Sequence, residues 1–293
     1  NIRALTHVSD TLEVPEAPTA QAGNDNRHAV GLGVMGLHSY LADNEIMYGS
    51  PESLDFTNIF FMTLKYYALK ASNKLAKERN KVFEGFEESE YADGSYFDTY
   101  LSRFKHEPQT DKVKKLFKNV TVPTLKDWHN LRESIIMHGL YNQNLLAVAP
   151  NGSISYVAGE SASIAPIISR VEERQEEMTG SNFYPAPRLS DKTMPYYITA
   201  YDMSMLDMID LYAVATVHVD QGISMSLYLR TELPPGLYPW KPEGGALTTR
   251  DLTLIKLYAW KKGIKTIYYT RQYSDDNEGG TEMSIHECES CAV

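Results

Sequence analysis

An α/β fold follows from three stretches of the chain. HVDQGISMSLYLR has strand character over residues 223–229, KTIYYTR reads as a second strand, and between them lies a helix that Thr248 or Thr249 caps and Gly263 ends. Strand, helix, strand is a βαβ unit, which favours parallel pairing. With 293 residues, 43% hydrophobic and 23% charged, the chain can bury a substantial core as one large domain or two small ones.

The elements follow in order. The opening NIRALTHVSD has no initiator methionine and reads as the middle of a helix, so the sequence is expected to be a piece of something longer. Residues 13–23, EVPEAPTAQAG, carry prolines and a glycine that predict a loop. HAVGLGVMGLHSYLADN then places Gly31, Gly33 and Gly36 in GxGxxG order. A dinucleotide site would also need a second strand ending in an acidic residue, and Asp55, at the right distance, is followed by helix instead. The glycines are therefore read as permitting close packing against a neighbouring segment. Ser50 as N-cap and Pro51 in the first turn start a helix with Phe61, Leu64, Ala68, Ala71 and Leu75 on one face.

Residues 86–123 are polar, aromatic and irregular. Thr124 and Asp127 then form a capping-box pattern for a helix that Gly139 terminates. In LLAVAPNGSISYVAG, Asn151 and Gly152 lie between alternating runs, and local rules favour a type I′ hairpin there. The same Pro150–Ser155 stretch has the other reading of a phosphate cradle, in which a glycine lets backbone approach the anion while hydroxyls and N–H groups donate to it. Residues 170–200 are charged and then proline-rich, a predicted surface excursion, and a helix is expected over 199–217. The tail SDDNEGGTEMSIHECESCAV is acidic and glycine-bearing, with little to bury, and is expected to be mobile.

Composition excludes several functions. The net charge of −10, with basic residues spread rather than gathered, disfavours nucleic acid as a partner. Apolar runs stop well short of a membrane span and no signal segment opens the chain, so a cytoplasmic home is expected. The only two cysteines, Cys288 and Cys291, sit within the last six residues. Closing so short a loop would stabilise the fold by no more than about 2 kcal/mol, so the pair reads as chemical. An exposed CxxC suits thiol exchange; with His286 it could supply three zinc ligands, but no second CxxC provides a fourth. Tyr268 and Tyr269 are by themselves ordinary for a buried strand, since pairs also occur at 66 and 196. Their expected place at the end of the second strand of a βαβ unit raises their interest.

HGLYNQNLLAVAPNGSISY, HVDQGISMSLYL, LYAWKKGIKTIYYTR and the terminal CxxC, in this order, resemble the large, catalytic subunit of class I ribonucleotide reductase, most like class Ib. HAVGLGVMGLHSYL and YALKASNKLAKERN extend the likeness toward the start, and Glu232–Gly245 looks like an insertion. The resemblance implies the C-terminal part of a ten-stranded α/β barrel over residues 1–273, with a flexible redox-active tail over 274–293. It implies radical-based reduction of ribonucleoside diphosphates. Pro150, Asn151, Gly152, Ser153, Ile154 and Ser155 would hold the substrate diphosphate, Asn151 standing where a threonine is expected. Tyr268 and Tyr269 would relay an electron and a proton between a radical on a dimetal small subunit and an active-site cysteine. Cys288 and Cys291 would be the shuttle dithiol, re-reduced by thioredoxin or a glutaredoxin-like protein.

The resemblance implies no cofactor or metal bound by this chain itself. Cys288 lies 19 positions beyond Tyr269, and a flexible tether of that length has a root-mean-square span of about 24 Å, a stretched limit near roughly 65 Å and an effective concentration of order mM. The family's thiyl-forming cysteine and its disulfide pair have no counterpart before Cys288, so an N-terminal companion is required, whether the chain is a split product, a processed product or a fragment. Two other functions compete: a non-catalytic remnant that binds phosphate or a partner, and a stand-alone dithiol oxidoreductase.

Overall fold

Local signals start the four longest helices. The computed structural model describes residues 1–102, 104–176 and 180–273. Its helices are α1 (Ile2–Thr11), α2 (Pro18–Arg27), α3 (Leu37–Asp43), α4 (Pro51–Arg79), α5 (Glu90–Asp93), α6 (Asp98–Ser102), α7 (Asp111–Leu116), α8 (Leu125–His138), α9 (Gly152–Ala158), α10 (Met205–Thr216) and α11 (Thr249–Lys261). The strands are β1 (Val171–Glu176), β2 (Gly180–Pro185), β3 (Ser226–Arg230), β4 (Glu232–Leu233), β5 (Gly245–Ala246) and β6 (Tyr269–Tyr273).

The Ser50 hydroxyl accepts from the Ser53 N–H, and Pro51, which lacks an N–H to leave orphaned, opens α4. Thr124 with Asp127 caps α8 reciprocally, and Thr248 with Asp251 does the same for α11. Ser204 caps α10, which begins at Met205, six residues later than the expected start at 199. α4 is the central post, packing against α1, α7, α8 and α10. Phe61, Met62 and Leu69 of α4, Trp128 and Ile135 of α8, and Met208 and Leu211 of α10 are all buried in one continuous core that also takes in Leu227 and Leu229 of β3. Each such side chain contributes roughly 1.5–3 kcal/mol relative to exposure.

The βαβ unit is present: β3 and β6 pair in parallel, Ser226 opposite Tyr269 and Arg230 opposite Tyr273. The parallel array extends further. Parallel bridges join Leu32 to Leu146 and Val148 to Ile223, so segments near 32, 146–148, 223–230 and 269–273 lie side by side. Among the described residues this array does not close into a barrel.

Several local expectations give way. The type I′ hairpin at Asn151–Gly152 is absent, because residues 146–148 are held on both flanks by parallel neighbours and the chain turns into α9 instead of folding back. A parallel neighbour demands a crossover, which a two-residue turn cannot supply. The predicted loop over 13–23 is helical from Pro18 onward, proline being well suited to a first turn. The surface excursion at 170–200 contains an antiparallel hairpin, with Val171 opposite Pro185; Phe183 on it is 66% exposed.

Residues 232–246, the expected insertion, form a small ordered unit. β4 pairs with β5, Tyr238 stacks on Trp240 with ring centroids 4.9 Å apart, and the Trp240 Nε1–H donates to Asp251 Oδ1 at 2.9 Å.

Candidate active site

The glycines at 31, 33 and 36 pack rather than bind. A Cβ on Gly33 would lie 2.6 Å from the Ala147 carbonyl oxygen, so only glycine allows this segment to run beside residues 146–148. Asp55 is occupied elsewhere, accepting from the Gln109 and Thr110 backbone N–H groups. Nothing here has the form of a dinucleotide site.

Immediately beyond Val148 the chain reaches Pro150 and enters α9. Gly152 has open space where a Cβ would sit, Ser153 is exposed, and Ile154 is half exposed. The first N–H groups of a helix have no intrahelical acceptor, so those of Gly152, Ser153 and Ile154 face outward with partial positive charge. Ser155 is buried and its hydroxyl donates to the Gly152 carbonyl at 2.6 Å, bracing the turn and leaving that hydroxyl occupied.

Asn151 occupies the N-cap position, but its side chain makes no capping bond. Its amide oxygen accepts from the Ser163 N–H at 2.6 Å and its amide nitrogen donates toward the Val34 carbonyl at 3.4 Å. The residue that departs from the expected threonine thus ties three segments together. At the far end of α9, Glu160 accepts both guanidinium nitrogens of Arg188, at 2.7 and 2.8 Å, and the Ser39 hydroxyl at 2.5 Å. These bonds hold the Glu160 carboxyl below its ordinary range, Arg188 being the main cause.

A second group of residues, which sequence reasoning missed, aligns the strand segments. Asp220 accepts the Leu145 and Leu146 N–H groups on Oδ2, at 2.8 and 2.9 Å, and pairs through Oδ1 with fully buried Lys65 of α4. Burial pushes the Lys65 ammonium down, against the pull of Asp220. Lys265 donates to the carbonyls of Val219, Asp220 and Gln221. A lysine inside the apolar run FFMTLKYYALK was the available signal, since a charge on a buried helix face requires a partner.

The tyrosine pair is brought together, but not as expected. Tyr268 and Tyr269 have ring centroids 4.2 Å apart, tilted by 55°. They sit at the beginning of β6 rather than at its end, and they are 41% and 38% exposed rather than buried. The physical reason is that, among the described residues, β6 is paired along one edge only, by β3, and four of its five residues are exposed. With Lys256, Trp260 and Lys265 the pair lines a groove beside α11.

Register relates the two sites. Tyr269 is level with Ser226, three residues past Ile223, and Ile223 is bridged to Val148, four residues before Gly152. At about 3.3 Å per residue they lie roughly 10 and 13 Å beyond the same rung, toward the same end of the array. Cys288, Cys291 and the whole of 274–293 lie outside the described residues. Within them, no helix is long and apolar enough to cross a membrane.

The family model for the ribonucleotide reductase barrel domain matches residues 1–270. Among curated proteins, the chain is 40% identical over 290 residues to the ribonucleoside-diphosphate reductase subunit alpha of Bacillus subtilis, covering 99% of this chain and 38% of that one. It is 41% identical over 300 residues to the Mycoplasma pneumoniae subunit alpha, covering 100% and 39%. With the Helicobacter pylori subunit alpha it shares 32% identity over 292 residues, covering 99% and 34%. The chain therefore spans well under half the length of these relatives.

Proposed function

The chain belongs to the ribonucleotide reductase family through its barrel domain, and on that premise we propose that it is the C-terminal portion of a catalytic subunit that reduces ribonucleoside diphosphates. The observation that carries the reading is the shared register just described, which puts an open helix start and an exposed tyrosine pair at one end of a parallel array.

In this reading the array is part of a ten-stranded barrel completed by an N-terminal companion. The backbone N–H groups of Gly152, Ser153 and Ile154, with the Ser153 hydroxyl, bind the substrate's diphosphate, and Pro150, Asn151 and Ser155 shape the turn. Asn151 contributes as a brace and not as a phosphate donor, since its amide oxygen is taken by Ser163. The tyrosines carry the oxidising equivalent: each phenol in turn loses one electron and one proton and regains both when the next group is oxidised. The radical originates on a dimetal small subunit and ends on a cysteine of the companion.

The tail completes the cycle. Cys288 and Cys291 pass two electrons and two protons to the active-site disulfide, become a disulfide themselves, and are re-reduced by thioredoxin or a glutaredoxin-like protein. Such a protein works in the cytoplasm.

The test is reconstitution with an upstream chain carrying the cysteine triad and with a small subunit. Deoxynucleoside diphosphate should form with thioredoxin as reductant. Tyr269→Phe should abolish turnover while nucleotide binding persists, and Cys288→Ser with Cys291→Ser should leave one turnover from pre-reduced protein. Full multiple turnover by either variant removes the corresponding role, and nucleotide binding without any turnover of the reconstituted wild type favours the non-catalytic reading.

A further inference from the structure

Aromatic rings run in an unbroken line through the helical half of the molecule. Tyr91 of α5 has its ring centroid 4.3 Å from that of Tyr96, which in turn is 5.9 Å from Tyr100 of α6. Tyr100 stacks on Trp128 of α8 at 4.1 Å, Trp128 meets Tyr66 of α4 edge to face at 5.2 Å, and Tyr66 lies 5.1 Å from Tyr67. The two ends differ. At the inner end the Tyr91 hydroxyl donates to Asp220 Oδ1 at 3.4 Å, the carboxylate that also holds the Leu145 and Leu146 N–H groups of the strand array. At the outer end Tyr67 is 42% exposed.

Core packing accounts for rings in contact. It does not require the base set at the middle of the line. The Tyr100 hydroxyl donates to His218 Nδ1 at 3.1 Å, and His218 Nε2–H donates to Asn58 Oδ1 at 3.0 Å. Tyr100 and His218 are both buried. Burial, aided by Lys65, lowers the His218 pKa to about 3, so the ring is neutral and its Nδ1 lone pair is free to take a proton. Burial pushes the Tyr100 phenol up, the Tyr96 hydroxyl being the main opposing influence, so Tyr100 keeps its proton as an ordinary acid. Oxidation changes that. A phenol that has lost an electron is a far stronger acid than imidazolium, and a base already in hydrogen-bond contact makes the electron easier to remove.

The neighbouring charges favour the same place. The Lys65 ammonium lies 5.4 Å from the centre of the Tyr96 ring, and that of Lys70 lies 5.5 and 5.9 Å from the centres of Tyr66 and Tyr67. Positive charge left on those rings is therefore costly. The buried indole N–H of Trp128 has no acceptor, so Trp128 passes an electron while keeping its proton.

We propose that Tyr100 is a redox-active tyrosine whose proton moves to His218 Nδ1 as its electron leaves, and that Trp128, Tyr66 and Tyr67 connect it to the surface. The oxidant is a one-electron oxidant of phenoxyl strength, reaching the line at Tyr91 or at Tyr67. It gains the electron, the Tyr100 O–H bond breaks, an Nδ1–H bond forms, and a phenoxyl beside an imidazolium remains. A thiol in solution, giving one electron at Tyr67 and its proton to water, reverses both steps. The line thus leads a stray oxidising equivalent from the strand array out through the helices. The inference goes beyond the reductase reading and does not depend on it.

The experiment is flash photolysis of the intact chain with a ruthenium polypyridyl oxidant and persulfate, followed by freeze-quench electron paramagnetic resonance. Exposed tyrosines should give short-lived radicals, and the wild type should also hold a persistent tyrosyl radical, identified by its narrowing with ring-deuterated tyrosine. Tyr100→Phe, which keeps the ring and its stacking, should lose the persistent signal, and Trp128→Phe should cut its yield severalfold while the short-lived signals stay. No persistent radical in the wild type, or an unchanged one in Tyr100→Phe, overturns the proposal; an undiminished yield in Trp128→Phe overturns the route through Trp128. If the variants fail to fold, the wild type decides alone. Electron–nuclear double resonance of its persistent radical should show a strongly coupled proton that vanishes after exchange into D2O, and a radical without that coupling overturns the proton transfer to His218.

Discussion

His38 is fully buried on α3, where its Nδ1 accepts from the Ile167 N–H at 2.9 Å and its Nε2–H donates to the Tyr196 carbonyl at 3.3 Å. Both ring nitrogens are thereby committed to the neutral form, and burial lowers the pKa to about 4. His218 follows the same logic between Tyr100 and Asn58, with burial lowering it to about 3. Because the folded values lie below the ordinary 6.5, the unfolded chain takes up protons first as the pH falls. The stabilisation is complete above pH 6.5 and is lost on acidification toward pH 4. His38 alone should account for a loss of about 3 kcal/mol over that interval. Urea unfolding at pH 7, 5.5 and 4 should show a steep decline for the wild type and a shallower one for His38→Gln; identical slopes would exclude His38 as the cause.

At the scale of elements, α11 shows how a cap can serve two structures at once. Asp251 receives the Thr248 N–H and hydroxyl as the capping box, and also the Trp240 indole N–H and the Lys241 ammonium from the 232–246 loop. Burial pushes its carboxyl up, but the bonds from Thr248 and Lys241 outweigh it and hold the group well below the usual carboxylate range. The 232–246 loop is thus anchored to the helix that leads into the tyrosine pair. Thr248→Ala should cost about 1 kcal/mol, as an ordinary lost cap. Asp251→Ala should cost more, about 2–4 kcal/mol, because it also strands the indole and the ammonium. Hydrogen exchange should then speed up over both 232–246 and the first turn of α11; acceleration confined to the helix would contradict the shared anchor.

Across the whole molecule, the Lys65–Asp220 pair joins the helical post to the strand array. One carboxylate serves two backbone N–H groups of the segment before the phosphate turn and the buried ammonium of α4, while Lys265 ties the same turn to the approach to Tyr268. Removing one member leaves the other charge buried without compensation. Asp220→Ala should therefore destabilise by roughly 3–5 kcal/mol, and adding Lys65→Met should recover part of the loss. Additive losses in denaturant unfolding would show that the pair is not coupled.

What the sequence determined by itself were features written within one turn or one repeat: the capping box at Thr124, a threonine cap at 248 or 249, the Ser50–Pro51 start, the close-packing glycine at 33 and the parallel βαβ unit. Ordered motifs also carried the family, because several separated stretches had to agree at once. Where partners lie far apart in the chain, only the tertiary structure decided. Parallel neighbours on both flanks of 146–148 turned a local hairpin signal into a helix start, and a strand covered on one edge left the tyrosines exposed. Asn151 became a brace and Asp220 a hub through contacts that no short window contains. The reason is that a turn propensity of about 1 kcal/mol is outweighed once several long-range hydrogen bonds and a buried charge pair form together.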